Sequence, residues 1–202
     1  MRTLALALLL ANAPLAAEPL YIVNGLIVDG SGGAPYKGWL SIEGDRILAM
    51  GRDRPPGRLA HDAKMFDARG HAIAPGFINM LSWSNESLLA DGRALSDLKQ
   101  GVTLEVMGEG TSMGPWTPAM KAAREARQDD IKYKVTWTSL ADYLNMLEAK
   151  GIAVNVASFV GASTVRVHEL GENNVQPTPE QLKRMQGLVK TAMHEGALGV
   201  GS

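Results

Sequence analysis

The segment Gly108-Glu109-Gly110-Thr111-Ser112 sets a carboxylate and two hydroxyls in a turn whose glycines let the backbone bend sharply and a ligand come close. A carboxylate there suits either solvation or coordination of a divalent cation, and spacing alone favours solvation. Arg166 carries a guanidinium able to hold a carboxylate through two parallel hydrogen bonds. Asn85, Glu86 and Ser112 follow apolar segments and are placed to share one loop mouth with it. The four histidines, His61, His71, His168 and His194, include no pair at ligand spacing. His168 falls in a loop after an expected strand, and His194 in the last turn of an expected helix, where imidazole meets the negative end of the dipole. Arg124 and Arg127 read as helix-surface charge.

These side chains need elements to hold them. From Leu20 to Ala74, short apolar stretches alternate with turn signals such as Asn24-Gly25, Asp29-Gly30-Ser31-Gly32-Gly33 and Glu43-Gly44-Asp45, which predicts a small antiparallel sheet domain over residues 18–74. From Pro75 the pattern changes to strand–helix alternation, with strands at Val102–Val106, Ala153–Ala157 and Ala197–Val200. Helices are expected over 139–150, starting at a Ser139/Asp142 capping box, and over 179–195, where Thr178, Pro179 and Gln181 form the start. This order argues for an α/β domain over 75–202.

Composition narrows the function classes. Hydrophobic residues make up 46% of the 202, and 20 basic residues stand against 21 acidic ones, so nothing points to a nucleic-acid partner. Arg2, the apolar Leu4–Ala11 and the small residues Leu15-Ala16-Ala17 read as a cleavable export signal over 1–17. With no cysteine for a disulfide, a thiolate ligand or a lipid anchor, a free protein of the periplasm or the cell exterior is expected, without a membrane span.

The run Ala74-Pro75-Gly76-Phe77-Ile78-Asn79-Met80-Leu81-Ser82-Trp83 resembles the first barrel strand of the amidohydrolase superfamily, which usually ends in His-x-His. Leu81 and Trp83 stand where those imidazoles would be and offer no metal donor, which excludes a two-metal centre built on this strand. Around Glu109, and again over Asn155–Arg166 and Pro177–Gly199, the chain is similar to the N-acyl-D-amino-acid deacylases, or D-aminoacylases. A family cysteine ligand aligns with Glu109, and a family histidine with Ala162. The resemblance implies the N-terminal part of a metal-dependent hydrolase (β/α)8 barrel preceded by a small β-sandwich domain. A whole barrel takes about 250 residues, so residues 75–202 correspond to its first half.

By the same resemblance Glu109 ligates one divalent metal, Zn2+ being the expectation, and the catalytic residues lie beyond Ser202. The metal would polarise an amide carbonyl and activate water. Arg166, Ser112, Asn85 and His168 are the substrate-side candidates, for a small N-acyl (D-)amino acid or peptide-like molecule. The alternatives are a cyclic-amide hydrolase, an exported dipeptidase, or a non-catalytic binding scaffold. Residues 18–202 alone are expected to show no turnover and, with an unpaired sheet edge, to associate.

Overall fold

A computed structural model of the protein describes residues 19–57 and 63–202, so the leader expected at 1–17 and His61 lie outside the described residues. The chain divides into two compact units between Pro75 and Gly76.

The first unit is a five-stranded sheet of β1 (Leu20–Ile27), β2 (Tyr36–Glu43), β3 (Arg46–Arg52), β4 (Lys64–Asp67) and β5 (Ala72–Ile73). β2 pairs antiparallel with both β1 and β3. β4 and β5 run parallel to β1 on its other edge, so the sheet is mixed and not purely antiparallel as expected. Asn24-Gly25 proves not to be a turn between two strands. It lies inside β1 as a bulge, with Asn24 at φ 56° and a register jump between Ile22 and Gly25. Asn24 Nδ2 donates to Asp67 Oδ1 at 3.1 Å, which offsets the cost of the left-handed backbone.

In the second unit β6 (Phe77–Asn79), β7 (Val102–Met107) and β8 (Asn155–Ser158) form a parallel sheet, and β9 (Val160–Gly161) pairs in parallel with β10 (Val200–Gly201). Between them run α1 (Ser87–Ala90), α2 (Leu95–Lys99), α3 (Pro118–Ala126), α4 (Leu140–Lys150), α5 (Ala162–Leu170) and α6 (Pro179–His194). Alternating strands and helices make this an α/β unit. Both expected capping boxes form: Ser139 and Thr178 each accept from the N–H three residues on, while Asp142 and Gln181 accept in return from the cap N–H. Each such cap contributes about 1 kcal/mol.

Two strands and one loop differ from expectation. β8 starts at Asn155 because the Ala153 N–H donates to the Gly92 carbonyl and leaves the ladder. β10 begins only at Val200, since the Ala197 N–H is taken by the Ala192 carbonyl at the end of α6. His168 sits in α5 and not in a loop, because the helix starts directly after β9 with Gly161 as its N-cap.

The core of the second unit joins Met107 of β7 to Leu88, Tyr143 and Leu147 on the helices and to Met113, Trp116 and Trp137 in the connections. Each fully buried large apolar side chain adds roughly 1.5–3 kcal/mol. Both indoles also bond the 111–116 segment: Trp116 Nε1 donates to the Ser112 carbonyl at 2.9 Å and Trp137 Nε1 to the Met113 carbonyl at 2.6 Å. Among the described residues no helix is long and apolar enough to cross a membrane.

Candidate active-site cleft

The segments that follow the C-terminal ends of β6, β7 and β9 enclose a cleft of about 650 Å3. Parallel α/β sheets characteristically bind ligands at that end of their strands. Trp83, Asn85 and Glu86 come from the segment after β6, and Thr111, Ser112, Met113 and Trp116 from the one after β7. α3 contributes Met120, Ala123 and Arg124, with Arg127 just past its end. α5 contributes Ser163, Thr164 and Val167, and Glu172 follows it. The volume lies within the usual range for a small-molecule site.

The walls divide chemically. Trp83, Met113, Trp116, Met120 and Val167 make an apolar surface. The side chains of Asn85, Thr111 and Ser163 have no hydrogen-bond partner among the described residues, which leaves a carboxamide and two hydroxyls open to a ligand. Asn85 is held by its backbone, whose carbonyl accepts from the buried Tyr143 hydroxyl at 2.9 Å. Burial, the largest effect, pushes that phenol well above its ordinary value, so it remains a donor at neutral pH.

Two ion pairs supply the charge. Arg124 pairs with Glu86 and donates through Nε to the Tyr133 hydroxyl at 3.0 Å, while that hydroxyl donates to Glu86 Oε1 at 2.6 Å. Burial and the bond to Glu86 raise the Tyr133 pKa, which keeps the three-way link intact. Arg127 Nη1 donates to Glu172 Oε1 at 2.9 Å, and both side chains are about two-thirds exposed, at 66% and 65%.

Of the substrate-side residues read from the sequence, Asn85 and Ser112 line the cleft and Arg166 and His168 do not. Ser112 is there in a scaffold role. Its hydroxyl donates to the Gly114 carbonyl at 2.6 Å and accepts from the Gly161 N–H at 2.9 Å, and its own N–H donates to Thr164 Oγ1 at 2.8 Å. Arg166 donates to the carbonyls of Asn173 and Val175 at 2.9 and 2.7 Å, so it fastens the loop after α5. His168 presents a buried Nδ1 with no partner among the described residues.

Glu109 is exposed on its glycine-flanked turn, with Gly108 at φ 91° and Gly110 at φ 66°, and it does not line the cleft. Gly108 and Gly161 are obligatory here: a Cβ on either would lie 2.1 and 2.5 Å from the carbonyl oxygens of Phe159 and Gly110. Leu81 and Trp83 are exposed and Ala162 opens α5, so the three positions that align with family histidines bring no donor. No group of three His, Cys, Asp or Glu able to hold a metal occurs among the described residues. One carboxylate falls short of the three or four protein ligands of a zinc site, so the described residues do not by themselves fit the metal.

Sequence reasoning passed over two features. Arg124 and Arg127, read as surface charge, face the cleft; their i, i+3 spacing just after the glycine-rich segment was the available signal. Glu105, inside the apolar β7, is fully buried, accepts from Ser82 Oγ at 2.5 Å through Oε2, and leaves Oε1 without a partner among the described residues. A lone acid within an otherwise apolar strand marks such a position.

No family model matches the chain. It is 32% identical over 200 residues to an N-acyl-D-aspartate deacylase of Alcaligenes xylosoxydans xylosoxydans, a match covering 96% of this chain and 38% of that protein. Among solved structures it resembles a D-aminoacylase with a binuclear metal center, described by one-metal activation and second-metal attenuation, at 29% identity and TM-score 0.74 over 90% of this chain and 37% of that one. It also resembles an N-acyl-D-glutamate deacylase from Bordetella bronchiseptica complexed with zinc and a phosphonate inhibitor, at 25% identity and TM-score 0.74 over 91% and 38%. The chain thus spans about 36–38% of the length of the curated deacylases it matches. It is a homologue of the N-acyl-D-amino-acid deacylases of the amidohydrolase superfamily, corresponding to their N-terminal portion.

Proposed function

We propose that this chain is the substrate-holding part of a metal-dependent amidohydrolase that cleaves the amide of N-acyl (D-)amino acids. The observation that carries this reading is the cleft itself, where an apolar wall, unengaged amide-binding groups and guanidinium groups lie together at the C-terminal ends of parallel strands. An N-acyl amino acid presents the matching set: an acyl chain, an amide with one donor and one acceptor, and a carboxylate. Apolar burial would take the first, Asn85, Thr111 and Ser163 the second, and a cationic group the third.

In this reading Glu109 is one ligand to a single divalent ion, with Zn2+ the candidate, and no step is derived through the ion because its other ligands are not among the described residues. The loss of donors at Leu81 and Trp83 accords with a one-metal site, and the related D-aminoacylase is described by one-metal activation. The export reading of residues 1–17 belongs to the same proposal and places the mature protein in the periplasm or outside the cell.

The test is to purify the native protein from its own host, count its metal, and incubate it with N-acyl-D-amino acids. Release of free amino acid, reduced together with metal content by Glu109→Ala, is the expected result. Metal content unchanged in Glu109→Ala would remove that residue from the site. A second reading, a non-catalytic binding scaffold, is favoured by the absence of donors at Leu81, Trp83 and Ala162. It predicts ligand binding with no product from the native protein.

A further inference from the structure

Glu105 is completely buried, is not among the residues that line the cleft, and has no part in the chemistry proposed above. Strand alternation puts it on the same face of β7 as Met107, the face packed on Leu88, Tyr143 and Leu147. In that layer an apolar side chain would serve the core better, because a buried polar group short of partners costs free energy. Oε1 has no partner among the described residues. What the carboxyl group adds lies at Oε2, which accepts from Ser82 Oγ at 2.5 Å.

Ser82 passes that contact to the segment after β6. Its hydroxyl accepts from the Ser84 N–H at 3.2 Å, and its own N–H donates to the Val106 carbonyl at 2.9 Å. Tyr143 holds the following residue through the Asn85 carbonyl. These tethers engage Ser82 and the backbone of Ser84 and Asn85, while the side chains of Trp83 and Asn85 line the cleft. Trp83 is 65% exposed, so packing does little to hold it and its place depends on the backbone beneath.

We propose that Glu105 is a positioning residue of the cleft: by way of Ser82 it fixes the segment that sets Trp83 and Asn85 in the cleft wall, so that ligand affinity depends on a carboxyl group the ligand does not touch. The affinity half of this rests on the reading of the cleft as an N-acyl amino acid site. The positioning half stands on the hydrogen bonds alone.

The experiment compares the wild-type chain with the double variant Ser82→Ala and Glu105→Met, with Ser82→Ala alone, and with Glu105→Gln, whose amide oxygen still accepts from Ser82. Replacing both partners of a buried hydrogen bond by apolar groups of similar shape leaves stability nearly unchanged, so the double variant is expected to unfold in urea near the wild-type midpoint. In heteronuclear NMR spectra the Trp83 indole N–H and the Asn85 carboxamide should move in it and in Ser82→Ala. The indole of Trp137, fixed to the Met113 carbonyl, should stay. N-acetyl-D-glutamine should bind both variants about fivefold or more weakly than wild type, the factor that corresponds to one hydrogen bond. Glu105→Gln should keep the wild-type signals, with an affinity within about twofold. Wild-type signals of Trp83 and Asn85 in the two variants that lack the Ser82 hydroxyl would overturn the proposal. Moved signals with unchanged affinity, or a Glu105→Gln that behaves like the double variant, would do the same. No binding by the wild-type chain would sink the N-acyl amino acid reading instead, and the signals would then decide the positioning role.

Discussion

Ser112→Ala distinguishes a scaffold serine from a substrate-binding one. The hydroxyl is buried, accepts from the Gly161 N–H at 2.9 Å and donates to the Gly114 carbonyl at 2.6 Å, so it joins the segment after β7 to the start of α5. Alanine keeps the fold's shape and leaves both backbone groups without that partner. A buried donor left unsatisfied costs about 1–3 kcal/mol, and the carbonyl, with a second lone pair, adds less, so the total is about 2–4 kcal/mol. Because Ser112 also accepts the Trp116 indole on its carbonyl, the wall of the cleft should loosen with it. The assay is urea unfolding of wild type and variant, monitored by tryptophan fluorescence, with NMR titration of N-acetyl-D-glutamine on the folded variant. A drop in the unfolding midpoint equivalent to at least about 2 kcal/mol is expected. A variant of wild-type stability that has lost ligand affinity would refute the scaffold assignment and return Ser112 to the substrate-binding set.

Three further outcomes follow from the packing. Gly108→Ala places a Cβ 2.1 Å from the Phe159 carbonyl oxygen at φ 91° and should destabilise the fold by about 3 kcal/mol or more, whereas Gly110→Ala, with open space at φ 66°, should cost only about 1–2 kcal/mol; thermal melts compare them. Ser82→Ala removes the donor at 2.5 Å from the buried Glu105 and should cost about 1–3 kcal/mol by urea titration, with no loss if the carboxyl finds another partner. Backbone N–H bonds from Ser139 and then Thr138 depress the Asp142 pKa below its ordinary 3.8. The stability Asp142 contributes is then fully present above that ordinary value and lost as pH falls through the depressed one, so Asp142→Asn should flatten that part of the stability profile below pH 4.

What could be read from sequence was what depends on neighbours in the chain. The caps at Ser139 and Thr178 need a residue three positions on, and both formed. The strand–helix alternation after Pro75 follows local hydrophobic period, and it too is present. Asn24-Gly25 misled because its turn chemistry serves equally for a bulge, and the choice was made by Asp67, 43 residues away in sequence. The mixed sheet depends on which edge of β1 receives β4 and β5, which no local pattern specifies. The site shows the same division. Asn85 could be placed at a loop mouth from its neighbours, but the bonds that occupy Ser112 and Arg166 run to Gly161, Asn173 and Val175 through the folded backbone. Arg127 reads as helix-surface charge and is indeed two-thirds exposed; its pairing with Glu172, 45 residues away in sequence, is what no local pattern specifies.

The proposed amidohydrolase activity toward N-acyl amino acids is tested by product release. The native protein, purified with its metal retained, is given N-acetyl-D-aspartate, N-acetyl-D-glutamate and N-acetyl-D-leucine beside their L-enantiomers and a cyclic amide, and free amine is quantified over time. Free amino acid is expected from at least one N-acetyl-D-amino acid, its release abolished by chelation and restored by a divalent ion. Opening of the cyclic amide with no release from any N-acyl amino acid, or no product from the whole panel, would contradict it.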